Sequence, residues 1–328
     1  LLADIDTRQV AIWAIREAAH AAGIIPSSIQ DLYVACADGT WTDKTVPAMN
    51  LRGWTYQTCR AVFRAAKEVD AHLLIFEQAV GEAIYAVQPP AEYTAGVLAA
   101  ALREGHIGPV FLQADHDQVN AAAYKKDKFA ETERLERIMR EQIAAGFFII
   151  DIDASTVVDL SLPTVEDQQR LNAEITADFT RFVRSLEPKG VTISLGAEIG
   201  EVGHHNTTPE ELRAFMATYP KALFGVAGKD MPGVSKISVN SGTYHGGKVL
   251  PVMINQRSGS IINMCSMAGL IGTPTYTIYA ASKHAVHGFS EALRREVQPW
   301  GISVSMIYPG GVTTEFGQHA GINRKTKA

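Results

Sequence analysis

Cysteine is scarce in this chain. Its 328 residues hold three, Cys36, Cys59 and Cys265, none in a CxxC pair. That speaks against a disulfide framework and fits a reducing compartment. Long apolar runs are missing too, so no bilayer-spanning segment is expected, and no cleavable signal opens the chain. Basic clusters are absent before the tail: nothing exceeds Lys125-Lys126, and Arg324-Lys325-Thr326-Lys327 reads as a frayed terminus. With a net charge of −5 and an isoelectric point near 6.1, nucleic acid is not an expected partner. Neither a membrane nor a polymer is implied, which leaves small molecules and a cytoplasmic location as the expectation. A homo-oligomer is compatible with these features, but no residue specifies one.

What the chain does contain is an alternation of short apolar, β-branched runs with longer helical patterns. Strands are expected at 46–51, 72–76, 109–113, 147–151, 191–198 and 236–240. Segments 56–69, 93–104, 132–145, 165–186 and 209–218 place apolar residues three and four apart, the spacing of one helix face. Thr208-Pro209-Glu210-Glu211 starts a helix, with a capping hydroxyl, proline at the first helical position and acids in the first turn. Strands that alternate with helices imply a parallel sheet, and their two-sided apolar character implies cover on both faces. Residues 1–43, with a helix pattern over 8–22, read as an appendage. After Leu250, strands at 260–265 and 303–308 flank a helix over 276–298. No glycine-, serine- or proline-rich linker separates these stretches, and no internal repeat is evident.

Polar residues gather at the carboxyl ends of the strands, where parallel α/β barrels place their sites. The third strand ends in Gln113-Ala114-Asp115-His116, the fifth in Gly196-Ala197-Glu198-Ile199-Gly200, and the sixth in Ser241-Gly242-Thr243-Tyr244-His245-Gly246-Gly247. Two imidazoles and a carboxylate from separate strands can converge on one Zn²⁺ and leave room for substrate. These three motifs, in this order, resemble the class II, metal-dependent fructose- and tagatose-bisphosphate aldolase family, over residues 46–251. The resemblance implies that His116, His245 and Glu198 ligate zinc and that Asp115 handles the hydroxyl proton. It also implies that Gly246 and Gly247 receive a substrate phosphate and that Asp151 lies near the metal. Retro-aldol cleavage leaves an enediolate, which a Lewis-acidic metal stabilises without a Schiff-base lysine. A sugar phosphate is the substrate so implied.

The residues that follow carry a different pattern. Ser258-Gly259-Ser260-Ile261-Ile262-Asn263-Met264-Cys265-Ser266 leads to Tyr279-Ala280-Ala281-Ser282-Lys283 and then to Pro309-Gly310-Gly311-Val312-Thr313-Thr314. Tyr279 and Lys283, four apart on a helix, share a face, and a neighbouring ammonium lowers a phenol's pKa. This stretch, 252–316, resembles the C-terminal half of the short-chain dehydrogenase/reductase family. There Ser266, Tyr279 and Lys283 match the catalytic serine, tyrosine and lysine. That family's first half should carry a TGxxxGxG turn for the cofactor pyrophosphate. Residues 1–250 supply no such turn, so the three residues are expected to be idle and NAD(P) is not expected to bind. Val239 to Pro251 reads acceptably in either family.

The expected architecture is therefore a (β/α)8 TIM-barrel-like fold. Six aldolase βα units form most of the ring, and two parallel units of Rossmann origin complete it. Its parts are a helical appendage (1–43), a partial aldolase barrel (44–251) and a short-chain dehydrogenase segment (252–328). The expected activity is a zinc-dependent aldehyde-lyase impaired by the loss of its last barrel units. An NAD(P)-dependent short-chain oxidoreductase and a non-catalytic chimera are the alternatives. Metal content and nicotinamide binding tell these readings apart.

Overall fold

A computed structural model describes residues 4–42, 46–51, 53–200, 206–228, 230–239, 253–254, 256–272 and 277–308. The chain divides into two compact units, Leu1–Gly242 and Thr243–Ala328.

Unit one opens with α1 (Ile5–Ala21), β1 (Ile24–Pro26) and α2 (Gln30–Ala37). Next come β2 (Ala48–Asn50), α3 (Thr55–Glu68), β3 (Ile75–Ala79), α4 (Val80–Tyr85), α5 (Pro90–Glu104) and β4 (Gly108–Gln118). The unit continues through α6 (Ala121–Lys126), α7 (Lys128–Ala145), β5 (Ile149–Asp153), α8 (Val165–Leu186), β6 (Ser194–Glu198), α9 (Pro209–Ala227) and β7 (Lys236–Ser238). Strands β2 to β7 pair in sequence order, all parallel, and β1 pairs with the start of β4.

The helices cover this sheet for reasons visible in their spacing. On α3 the buried residues Thr55, Cys59, Phe63 and Ala66 form one stripe. The Phe63 ring lies 5.1 Å from that of Phe76 on β3. Each such ring removes enough apolar surface from water to contribute roughly 1.5–3 kcal/mol. Helix α9 starts as its capping box requires, with Glu211 N–H donating to Thr208 Oγ1 at 3.2 Å and Thr208 N–H donating to Glu211 Oε2 at 2.7 Å. It then runs past the expected stop at 218, with Pro220 inside it. Tertiary anchoring outweighs the missing N–H: the Tyr219 hydroxyl accepts from Val234 N–H at 3.0 Å and lies 3.1 Å from Thr180 Oγ1.

Among the described residues unit two contains β8 (Gly259–Met264), a 3-10 turn (Met267–Gly269), α10 (Thr277–Val297), a second 3-10 turn (Gln298–Trp300) and β9 (Ile302–Ile307). β8 and β9 pair in parallel from Gly259↔Ile302 to Met264↔Ile307, in a sheet of their own. α10 covers one face, packing Leu293 and Val297 against Ile302 and Val304. Asn263 Nδ2 donates to Ser290 Oγ at 2.8 Å and Arg294 Nε to the Val304 carbonyl at 2.9 Å, which fixes the helix on the strand pair.

The closed eight-stranded barrel is thereby overturned. Among the described residues the first unit's sheet is open, and β8 and β9 add no strand to it. The two strands pair with each other instead, and α10 covers one face of that pair.

Candidate functional site

Two groups of polar side chains merit description, one in each unit. In unit one, β4 is interrupted between Ala114 and Asp117, where its register against β5 shifts. At that irregularity His116 takes a left-handed backbone, with φ of 55°. A non-glycine residue accepts such a conformation only when its surroundings hold it there. Here three carboxylates do. His116 Nδ1 lies 2.7 Å from Glu198 Oε1 and 3.6 Å from Asp153 Oδ2, and Nε2 lies 3.4 Å from Asp115 Oδ1. Asp115 is steadied in turn by Asn50 Nδ2, which donates to its Oδ2 at 2.8 Å.

These contacts set the charges. Hydrogen bonds to Asp153, then Glu198, push His116 up to about 11. Burial alone would raise Asp153, but hydrogen bonds from His116, Ser155 and Gln118 hold it below the usual carboxylate range. Burial raises Glu198 against the pull of His116. The result is an imidazolium in a ring of acids. A metal here would have to displace a ring proton, since imidazole binds one through a nitrogen lone pair. The donor atoms of His116, Asp153 and Glu198 nonetheless lie within 4.8 Å of one another.

Deeper in the same sheet a second network runs through buried side chains. Lys236 Nζ lies 2.8 Å from Asp151 Oδ1 and donates to Gln113 Oε1 at 2.7 Å. Gln113 Nε2 donates to Glu77 Oε1 at 2.6 Å and to Asp151 Oδ2 at 2.9 Å. Burial, then the charge of Asp115, lifts Glu77 to about 7. Gly196 is what makes room: a Cβ there would stand 1.8 Å from Asp151 Oδ1 and 2.8 Å from Lys236 Cε.

In unit two the half-buried residues Ser266, Tyr279 and Lys283 sit on the turn after β8 and on α10. Lys283 Nζ lies 5.6 Å from the centre of the Tyr279 ring, close enough for cation–π attraction. The turn carrying Ser266 is fastened to the helix at this point. The Cys265 thiol donates to the Lys283 carbonyl at 3.2 Å. Gly269 comes so close that a Cβ would meet the same carbonyl oxygen at 2.7 Å. Ser266 Oγ caps the turn, accepting from Ala268 N–H at 3.3 Å.

Of the residues singled out by sequence, Asp115, His116 and Glu198 are brought together, and Asp151 belongs to the deeper network. His245, Gly246 and Gly247 lie outside the described residues. Asp153 and Lys236 were missed. Asp153 follows Asp151 by two on one strand and so shares its face, which is the signal that could have found it. Lys236 is a lone cation opening an apolar strand, and nothing local distinguishes it.

Comparison with known proteins bears on the C-terminal part. Residues 229–325 match the short chain dehydrogenase family model. A 3-ketodihydrosphingosine reductase from Bacteroides thetaiotaomicron is 45% identical over 78 residues, 24% of this chain and 29% of that protein. A 3-oxoacyl-(acyl-carrier-protein) reductase from Chlamydia trachomatis is 40% identical over 95 residues, 28% of this chain and 38% of that protein. The chain thus spans about a third of the length of these curated relatives. Among solved structures, a probable tagatose 6 phosphate kinase from Sinorhizobium meliloti is 13% identical with a TM-score of 0.43, covering 80% of this chain and 65% of that one. That likeness is too slight to carry an argument.

These matches correct the sequence reading in two respects. Oxidoreductases replace the lyase, aldolase and zinc-barrel description. Zn²⁺ gives way to a nicotinamide as the cofactor that the relatives indicate, so NAD(P) was wrongly set aside. The short chain dehydrogenase family is thereby supported for the C-terminal segment of the chain, residues 229–325.

Proposed function

We propose that this protein is an oxidoreductase of the short-chain type, acting through Ser266, Tyr279 and Lys283 on a carbonyl or secondary alcohol. The observation that carries the reading is the fastening of the Ser266 turn to α10 at Lys283, by the Cys265 thiol and the close approach of Gly269. It ties the serine hydroxyl's turn to the helical turn that bears the tyrosine and lysine. In the direction of reduction, Ser266 Oγ donates a hydrogen bond to the substrate carbonyl and orients it. The Tyr279 hydroxyl gives its proton to that oxygen as the alcohol forms. The Lys283 ammonium stabilises the tyrosinate left behind. A bound nicotinamide supplies the hydride.

The residues present fit the nicotinamide end of such a cofactor. Lys283 has no carboxylate partner among the described residues and is available to ribose hydroxyls. Residues 1–228 carry no TGxxxGxG turn for the pyrophosphate. Affinity for the dinucleotide is therefore expected to be weak, in the millimolar range. The relatives' names specify a 3-keto and a 3-oxoacyl compound, which makes a 3-oxoacyl thioester the substrate to try first.

The test is oxidation of NADPH or NADH by the full chain with a 3-oxoacyl thioester. Slow turnover is expected, reduced by a factor of about 100 or more in Tyr279→Phe. Equal rates in the two proteins would remove Tyr279 from the chemistry. If neither turnover nor a saturation-transfer signal from NADPH is seen, the reading itself fails.

A further inference from the structure

Unit two carries a second group of reactive side chains, on α10 and at the carboxyl end of β9, that the proposed reduction does not use. His287 and Glu291 are four apart on α10 and so share a face. Tyr308 directly follows β9, next to Cys265, whose N–H donates to the Ile307 carbonyl at 2.8 Å. The Tyr308 hydroxyl lies 2.6 Å from His287 Nδ1, and the two ring centres are 5.8 Å apart. Across the imidazole, Nε2 lies 3.8 Å from Glu291 Oε2. Tyr308 and His287 are half-buried and Glu291 is exposed, so the group stands near the surface of the unit.

Carboxylate, imidazole and hydroxyl thus follow one another in the order by which a base activates a nucleophile and is itself oriented by a third group. The tautomer follows from the surroundings. A carboxylate on the Nε2 side favours the ring proton there, which leaves the Nδ1 lone pair for the phenol. Tyr308 then donates to His287, and its further contact, to Met306 Sδ at 3.0 Å, engages only a weak acceptor. Desolvation holds the phenol above its ordinary range, so it is neutral at rest and attacks only as a base takes its proton.

We propose that Tyr308 is a nucleophile for acyl transfer, with His287 as its general base and Glu291 positioning the imidazole. Tyr308 Oη attacks the carbonyl carbon of an activated ester or thioester while His287 Nδ1 takes the phenolic proton. The bond from that carbon to the leaving oxygen or sulfur breaks, His287 passes the proton to the leaving group, and an O-acyl tyrosine remains. Water, giving a proton to the same imidazole, then attacks the acyl carbon, and the phenol is restored as the carboxylic acid departs. The Met306 thioether against the hydroxyl and the Glu291 carboxylate behind the imidazole favour a short, uncharged acyl group over an anionic one. No oxidant or reductant takes part, so the site is independent of the reduction assigned to Ser266, Tyr279 and Lys283.

The experiment mixes the full chain with 4-nitrophenyl acetate and no nicotinamide, follows release of 4-nitrophenol, and locates the acetyl group by peptide mass spectrometry. A stoichiometric burst is expected, with the acetyl group on Tyr308. Tyr308→Phe is expected to lose the burst, and His287→Gln to slow it by a factor of about 100 or more, with folding checked by circular dichroism. Glu291→Gln is expected to shift the nitrogen NMR spectrum of His287 away from the Nε2–H tautomer, a change that loosened packing alone would not produce. Should Tyr308→Phe fail to fold, the position of the acetyl group in the unaltered protein decides the matter alone. Acetyl groups confined to other residues, a burst that persists in a folded Tyr308→Phe, or an unchanged rate in His287→Gln would each overturn the proposal. An unchanged spectrum in Glu291→Gln would overturn the positioning role of Glu291.

Discussion

At the strand ends of unit one, the acids Asp115, Asp153 and Glu198 surround one imidazolium, so the cation finds its counterparts inside the group and the acids outnumber it. In unit two, Ser266, Tyr279 and Lys283 are half-buried, and the ammonium rests on a ring rather than on a carboxylate. The first arrangement satisfies its one cation internally and keeps a surplus of acids. It is organised by the fold and contributes to stability or costs it according to how well the pairs are kept. The second has no carboxylate among its three members, and a serine hydroxyl, a phenol and an ammonium are the groups that orient and protonate an external carbonyl. A rich cluster of titratable residues is therefore not by itself the better functional candidate. The sparser group, fixed through its backbone, carries the activity proposed here.

The sharpest way to break this comparison is through the two crowded glycines. Gly196→Ala would place a methyl against Asp151 Oδ1 and Lys236 Cε, forcing apart a pair that is buried on the sheet. Leaving a buried charge without its partner costs about 3–5 kcal/mol. Hydrogen exchange read by mass spectrometry is expected to show lost protection across β4, β5 and β6, with β8 and β9 unchanged. Unaltered protection in β5 would mean that Asp151 can swing away and that the network is looser than its distances imply.

Gly269→Ala is the matching change in unit two and is expected to be milder. The added methyl meets the Lys283 carbonyl and the Cys265 sulfur, so the turn must back off the helix. Such overpacking costs about 1–3 kcal/mol. Exchange should quicken in α10 around Lys283 and leave β4 to β6 as before. The same displacement moves Ser266, so turnover should fall more than stability does. A variant that keeps full activity would show that the fastening does not position the serine.

Much of this architecture was legible in the sequence, and the failures have identifiable causes. Alternating runs of apolar residues mark strands well, and β5, β6, β7, β8 and β9 fall within two or three residues of where they were expected. Strand patterns do not name their partners. Two parallel βα units read correctly as units, yet ring closure depended on a pairing that periodicity does not encode. β1 escaped notice because Ile24–Pro26 is too short to show a period. Asp115, His116 and Glu198 were recognised by type and position, while the bulge that turns His116 toward Glu198 leaves no mark in composition. The contact that Cys265 makes leaves no local mark in the sequence. Its hydrogen bond to the Lys283 carbonyl exists because two segments 18 residues apart meet in space.

The smallest expected effect is a dependence on pH confined to unit one. His116, raised to about 11, keeps a proton that the unfolded chain gives up above about 6.5. Its contribution is complete below that value and is lost as pH climbs toward the folded one. Glu77, raised to about 7, keeps a proton that an unfolded glutamic acid gives up above about 4.3. It therefore penalises the folded state as pH rises through that window. In both cases the folded chain binds more protons than the unfolded chain, so stability falls with rising pH. Asp153, held low, acts in the opposite sense, but only in acid near and below the ordinary aspartate value. Burial also raises Asp117, to about 7, and lifts Asp151 and Glu198, all in the same sense, so between pH 5 and 9 the raised groups dominate. His116 is 47% exposed, so solvent screens its share, and the shift should amount to no more than a few degrees in the melting of unit one. Exchange protection of β8 and β9 over the same range serves as the internal reference. In His116→Gln the alkaline part of the trend should vanish, while the part below neutrality, which belongs to Glu77 and Asp117, persists. A unit one that grows more stable from pH 5 to 9 would show that the imidazolium is not held by its ring of acids, and the contrast with unit two would lose its basis.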